Sequence, residues 1–106
     1  MTDYEFSKFL YDHIVNDNLE IYAKLLNEKN HSDSQLSLTS EIFNKLNENE
    51  KDLFKEFIGQ VIVDSVSSVL AILDGVRPCG NFELKEGDNP INGDLQDYFL
   101  ELHEDK

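Results

Sequence analysis

The chain has 106 residues, 40% of them apolar and 29% charged, which is the composition of one folded domain rather than a disordered tail. Twenty-two acidic against nine basic side chains give a net charge of −13. Such a field repels nucleic acid and anionic lipid, and attracts basic proteins or cations with fast, salt-sensitive association. Solubility alone is the plainer use of the same charge.

The longest uninterrupted apolar run, Val69 to Leu73 counting Ala71, is five residues, far short of a bilayer span. The opening MTDYEFSKFLYDH lacks the basic and apolar regions of a signal peptide. A single cysteine, Cys79, has no internal disulfide partner and fits a reducing compartment. These features together predict a cytoplasmic protein of one domain spanning 1–106, with no membrane segment.

In chain order, Thr2 with Glu5 forms a capping box and starts a first helix at Asp3. Phe6, Phe9, Leu10, His13 and Ile14 share one stripe, with Tyr4, Tyr11 and Val15 in a narrower second one. Asn16-Asp17-Asn18 weakens the helix before Leu19, Ile21, Tyr22, Leu25 and Leu26 resume an apolar face, and two helices joined at a tight turn are predicted. Residues 27–38 read as a loop. Thr39 or Ser40 then caps a short helix carrying Ile42, Phe43 and Leu46, and Asn47 to Lys51 form a charged hinge.

The stretch DLFKEFIGQVIVDSVSSVLAILDG, from Asp52 to Gly75, is the predicted central helix. Phe54, Phe57, Ile58, Val61, Ile62, Val66, Val69, Ile72 and Leu73 form a broad face expected to be buried, with Val63 and Leu70 past its edge. Glu56, Gln60, Asp64, Ser67, Ser68 and Ala71 make a narrow polar or small strip. Gly59 reads as a close crossing with a neighbour, and Gly75 as the left-handed residue that ends the helix. Asn81 to Lys85 alternates like a strand, Glu86 to Pro90 is a turn, and Ile91 opens a second strand. Asp94 is expected to cap a final helix with Leu95, Tyr98, Phe99 and Leu102 buried. The fold class is therefore mainly α (α+β): four to five helices around a central helix 52–74, with a small β-hairpin near 81–91 before the C-terminal helix.

Catalytic and metal patterns are thin. His13, His31 and His103 are scattered, and Cys79 has no histidine near it, so no zinc spacing exists. The loop EGDNPINGD is oxygen-rich, but a calcium loop read from Asp88 would place Pro90 and Phe99 at ligand positions three and twelve. No G-x-S-x-G elbow or glycine-rich phosphate loop occurs. Ser65, Ser67 and Ser68 sit in a helix interior, where serine bonds the carbonyl one turn back. His13 reads as a core-edge histidine bonded to a backbone carbonyl, and Asp64 as a solvent-facing group beside Gln60 and Ser68. No catalytic residue, cofactor or metal is expected, and a binding protein is favoured over an enzyme.

The best candidate site is acidic. From Glu83 to Lys106 eight carboxylates face two lysines. Like charges stacked on one side of the last helix cost a few tenths of a kcal/mol per pair, and docking onto a basic surface is the simplest use of that strain. The candidate contact residues are Glu83, Glu86, Asp88, Asp94, Asp97, Tyr98, Glu101, Glu104 and Asp105.

The segments QVIVDSVSSVLAILDG, FELKEG and NGDLQDYFLELHED give residues 50–106 a layout that resembles small acidic immunity proteins of bacterial polymorphic and contact-dependent toxin systems. Immunity proteins share no single fold, so the resemblance implies a role rather than an architecture. It implies a stoichiometric inhibitor that caps the active site of a cognate toxin, often a basic nuclease, with acidic side chains in place of phosphates and Tyr98 as an anchor. Two alternatives use the same residues differently. One is an acidic nucleic-acid mimic; the other is a structural or regulatory homodimer that buries part of the central helix's broad face.

Overall fold

The computed structural model describes residues 1–28 and 31–105; Lys29 and Asn30 of the predicted loop, and Lys106, lie outside the described residues. Four helical rods and one small hairpin make up the chain, as the mainly-α reading expected. The first rod joins α1 (Asp3–Leu10), a π-helical segment (Tyr11–Asn16) and α2 (Asp17–Asn27). Then come α3 (Ser34–Asn44), α4 (Glu48–Leu73), β1 (Lys85–Glu86), β2 (Asn89–Pro90) and α5 (Leu95–Glu104).

The Thr2–Glu5 capping box forms as predicted. The predicted turn at 16–18 does not. Asn16 and Asp17 keep right-handed helical angles, and the rod runs on without a break. Asn18 supports it by donating from Nδ2 to the Ile14 carbonyl at 2.6 Å, inside the widened π ladder.

The buried stripe of this rod is also not the predicted one. Ser7, Tyr11 and Val15 are buried and Leu19 half-buried, whereas Phe9, His13 and Ile14 are exposed. A spacing of four drifts about 40° per step around an α-helix. The wider π turns counter that drift and hold the four residues in line. Ser7 belongs there because its small side chain lets α5 approach, its hydroxyl donating to the Leu95 carbonyl at 3.1 Å.

The third element starts earlier than expected. Asp33, not Thr39 or Ser40, caps α3, accepting from the Leu36 amide at 3.0 Å. Ser40 is interior and buried. Its hydroxyl reaches the Leu26 and Glu28 carbonyls, and Asn44 Nδ2 donates to the Leu26 carbonyl at 2.9 Å. His31 Nε2 adds donations to the Leu25 and Glu28 carbonyls at 2.8 and 3.0 Å. Together they satisfy the last carbonyls of α2, which no helix can satisfy internally.

The predicted hinge at 47–51 is likewise helical. Asn47 and Glu50 form a second capping box, so α4 begins at Glu48 rather than Asp52. It ends in a Schellman motif, with Gly75 at φ +78° and the Gly75 and Val76 amides donating to the Ile72 and Ala71 carbonyls.

The covered side of α4 overturns the reading of its faces. The buried residues are Gly59, Val63, Ser67, Leu70 and Ala71: the expected edge together with the small strip. Small side chains there allow α2 and α5 to come close. A Cβ built on Gly59 would meet Leu19 at 3.5 Å, an ordinary contact that leaves room for alanine. Much of the broad apolar face stays open to solvent, with Leu53, Phe57, Val61 and Val69 exposed. By length and mean hydropathy (1.6 over 18 residues) α4 is apolar enough to cross a bilayer. In the fold it packs against α5, α2 and the π segment.

The main core joins Tyr11, Val15, Val63, Leu70, Leu95 and Phe99, with Phe6, Leu10, Leu19 and Leu84 among the residues packed on it. The hairpin is shorter than 81–91. Lys85 pairs with Pro90 and Glu86 with Asn89 around Gly87-Asp88, Gly87 taking φ +59° where a two-residue hairpin needs glycine. Asn92 fastens this region. Its Nδ2 donates to the Leu73 and Phe82 carbonyls at 2.6 and 2.9 Å, and its Oδ1 accepts from the Leu84 amide at 3.1 Å.

Asp94 makes no side-chain cap for α5. Asp74, at the end of α4, takes the role by accepting from the Gly93 amide (2.6 Å) and the Gln96 amide (2.8 Å). Asp74→Ala is therefore expected to cost about 1–2 kcal/mol, and Asp94→Ala only a few tenths. Chemical denaturation of both variants checks this; equal losses would return the cap to Asp94.

Candidate functional site

The acidic face of α5 follows from how the helix is held. Leu95 and Phe99 turn into the core, and Gln96 Nε2 donates to the Ser67 hydroxyl at 3.0 Å. That orientation sends Asp97, Glu101, Glu104 and Asp105 outward, with Asp94 at the head of the same stripe. Among the described residues, no ion pair engages an α5 carboxylate.

Tyr98 is half-buried at the stripe's edge, its ring edge-on to Tyr4 of α1 with centroids 5.7 Å apart. The charge of Asp3, then burial, then Asp94 and Glu101 push the Tyr98 phenol above its usual value of 10.0. A raised phenol favours the folded state below the ordinary tyrosine range, and that contribution is lost as the pH climbs through it. Asp3→Asn is expected to bring the Tyr98 titration back toward 10, read by NMR of the ring. An unchanged midpoint would mean that Asp3 exerts no field at this site.

The nine predicted contact residues fall into two groups. Asp94, Asp97, Tyr98, Glu101, Glu104 and Asp105 form the α5 stripe. Glu83, Glu86 and Asp88 sit on the hairpin arm, where Glu83 pairs with Lys85 at 3.7 Å. Glu86 accepts from the Met1 amino group at 2.6 Å and holds that amine above its usual value. Asp88 is exposed on the turn. Asp3 and Tyr4 join the stripe without having been anticipated. Their neighbourhood with Tyr98 comes from the packing of α1 on α5, which no local pattern announces.

The groups considered for chemistry lie apart. His13 is exposed, stacked on Phe9 at 4.3 Å and facing Asp17 at 3.3 Å, so the expected carbonyl partner is replaced. Asp64 is exposed and accepts from Gln60 at 2.9 Å. Ser65 and Ser68 donate to the Val61 and Asp64 carbonyls, as serines within helices do.

A pocket of about 600 Å³ between α2, α4 and α5 is lined by Glu20, Lys55, Glu56, Gln60 and His103, among others. Behind it the Tyr11 hydroxyl donates to His103 Nδ1 at 2.9 Å, and His103 Nε2 faces Gln60 Oε1 at 3.4 Å. This relay gives the buried phenol its partner. Cys79 is free and exposed. Among the described residues, no three His, Cys, Asp or Glu side chains gather closely enough to hold a metal ion.

In comparisons with known proteins, no family model, curated protein or solved structure matches this chain.

Proposed function

We propose that this protein is a non-catalytic, stoichiometric inhibitor: an immunity protein that neutralises a cognate bacterial toxin with a basic surface, acting in the cytoplasm. The observation that supports this reading is the stripe Asp94, Asp97, Glu101, Glu104 and Asp105, free of ion pairs among the described residues and bordered by Tyr4 and Tyr98. Uncompensated charge on a rigid, packed helix steers a basic partner and fixes its register, while aromatics at the edge supply the desolvated contact. The hairpin carboxylates are secondary, since Glu83 and Glu86 already have cationic partners.

The nucleic-acid-mimic alternative needs carboxylates spread along the whole molecule. The stripe covers a ten-residue helix, about 15 Å of a long axis of 50 Å.

The test compares the native protein with a triple variant, Asp97→Lys, Glu101→Lys and Glu104→Lys, as immobilised bait for a basic protein from the source cell. Equimolar capture that is shed as salt rises, and is lost with the variant, supports the reading. Undiminished capture by the variant, with the same salt dependence, would place the interface elsewhere.

A further inference from the structure

We infer that the groove between α2, α3 and α4, with the α4 ridge along its rim, docks a second copy of this chain in a two-fold dimer. The groove measures about 430 Å³ and is lined by Tyr22, Leu25, Leu36, Phe54, Ile58 and Ile62, among others. Its rim is a row spaced four residues apart on α4. Leu53, Phe57 and Val61 are 65, 69 and 49% exposed, and beyond Ser65 the row continues to Val69 at 57%.

Three observations name the occupant. The first is area. A compact chain of 12.2 kDa exposes about 6,000 Å², whereas this one exposes 7283 Å² with a radius of gyration of 16.9 Å. The radius expected for this length is about 13 Å. The excess is comparable to the roughly 800 Å² that each partner of a standard interface covers.

The second is charge. In a chain with 22 carboxylates, neither the rim row nor the groove lining contains one, and Asp64 at the edge is turned to Gln60. A basic partner would find nothing here to pair with.

The third is shape. A projecting row beside a groove on one surface is self-complementary, so a two-fold axis can seat each row in the other copy's groove. Rows spaced by four residues interdigitate when two such helices cross at about −50°.

The dimer does not depend on the inhibitor reading, and salt separates the two. Two copies each carrying −13 repel, so added salt should tighten self-association while it loosens a basic partner on α5.

Sedimentation equilibrium of the full chain over protein and salt concentration is the experiment, with Phe57→Asp, Leu53→Asp and the α5 triple variant beside it. The expected result is a dimer that strengthens with salt. Either α4 variant should weaken it on the order of a hundredfold without altering the helical circular-dichroism signal, and the α5 variant should leave it intact. A monomer at every concentration and salt would overturn the inference. So would a dimer indifferent to both α4 variants, or partition of a monomer into neutral phosphatidylcholine vesicles through α4.

Discussion

Phe99→Ala is expected to lower the unfolding free energy by about 3–5 kcal/mol, whereas Phe57→Ala should cost less than about 0.5 kcal/mol in the monomer. Both are phenylalanines on helices with an apolar stripe, and a hydropathy pattern ranks Phe57 as the more central. The packing reverses that order. Phe99 is fully buried, its ring edge-on to Tyr11 at 5.6 Å and enclosed by α1, the π segment and α4. Truncation there opens a cavity that the surrounding helices cannot collapse to fill. Phe57 gives up only surface that water already reaches. In a domain of about this size the Phe99 loss corresponds to a fall in Tm on the order of 15–30 °C. Thermal and urea unfolding at low protein concentration measure both variants. Comparable losses would mean that the broad face of α4 is covered within one chain after all.

Asn92→Ala should cost about 2–3 kcal/mol, although the residue sits in an irregular segment and carries no charge. Its one amide group makes three hydrogen bonds that tie the last carbonyl of α4, the backbone at Phe82 and the Leu84 amide to a single point. Removing it leaves those groups unpaired in a half-buried setting, where each costs on the order of 1 kcal/mol. Asn92→Asp should be worse than alanine. The carboxylate could still accept from Leu84, but it would press negative oxygen against the Leu73 and Phe82 carbonyls. The damage is expected to be local, appearing first as lost hydrogen-exchange protection at the Leu84 and Ile91 amides. An aspartate variant as stable as the native protein would show that these bonds contribute little.

Local chemistry was the readable part of this chain. The Thr2–Glu5 box, the glycine stop at Gly75, the Gly87 turn and the existence of each helix from Asp52 onward follow from neighbours within a few residues, where capping and backbone rules operate. Asn47 with Glu50 obeys the same rule and carried a usable signal for the start of α4, as did Asp33 three residues before Leu36.

Packing was not readable, for a physical reason. A helix apolar over half its circumference has no single side that hydropathy can select. The side chosen in α4 was set by Gly59, Ser67 and Ala71, whose value is small volume rather than hydrophobicity. Ser7 and Ser40 repeat the point on α1 and α3, each buried because its hydroxyl has a carbonyl to meet. Asp74 caps a helix that begins 21 residues later, a distance over which no sequence spacing is diagnostic. At the candidate site, the α5 stripe was visible as a spacing of like charges. The contribution of Asp3 and Tyr4 was invisible, because it exists only once α1 lies on α5.

The π segment makes residue number in the first rod a structural quantity. A surface loop absorbs a lost residue by tightening. The stretch from Tyr11 to Asn16 has no such slack, because its extra residue sets the phase between α1 and α2. Deleting one residue there would restore ordinary α-helical bonding at little local cost, yet turn everything downstream by about 100°. Leu19 would swing off Gly59, and the carbonyls of Leu25 and Leu26 would no longer meet His31, Ser40 and Asn44. Single-residue deletions in this rod should therefore be as damaging as the loss of a core side chain, while point substitutions at its exposed positions pass almost unnoticed.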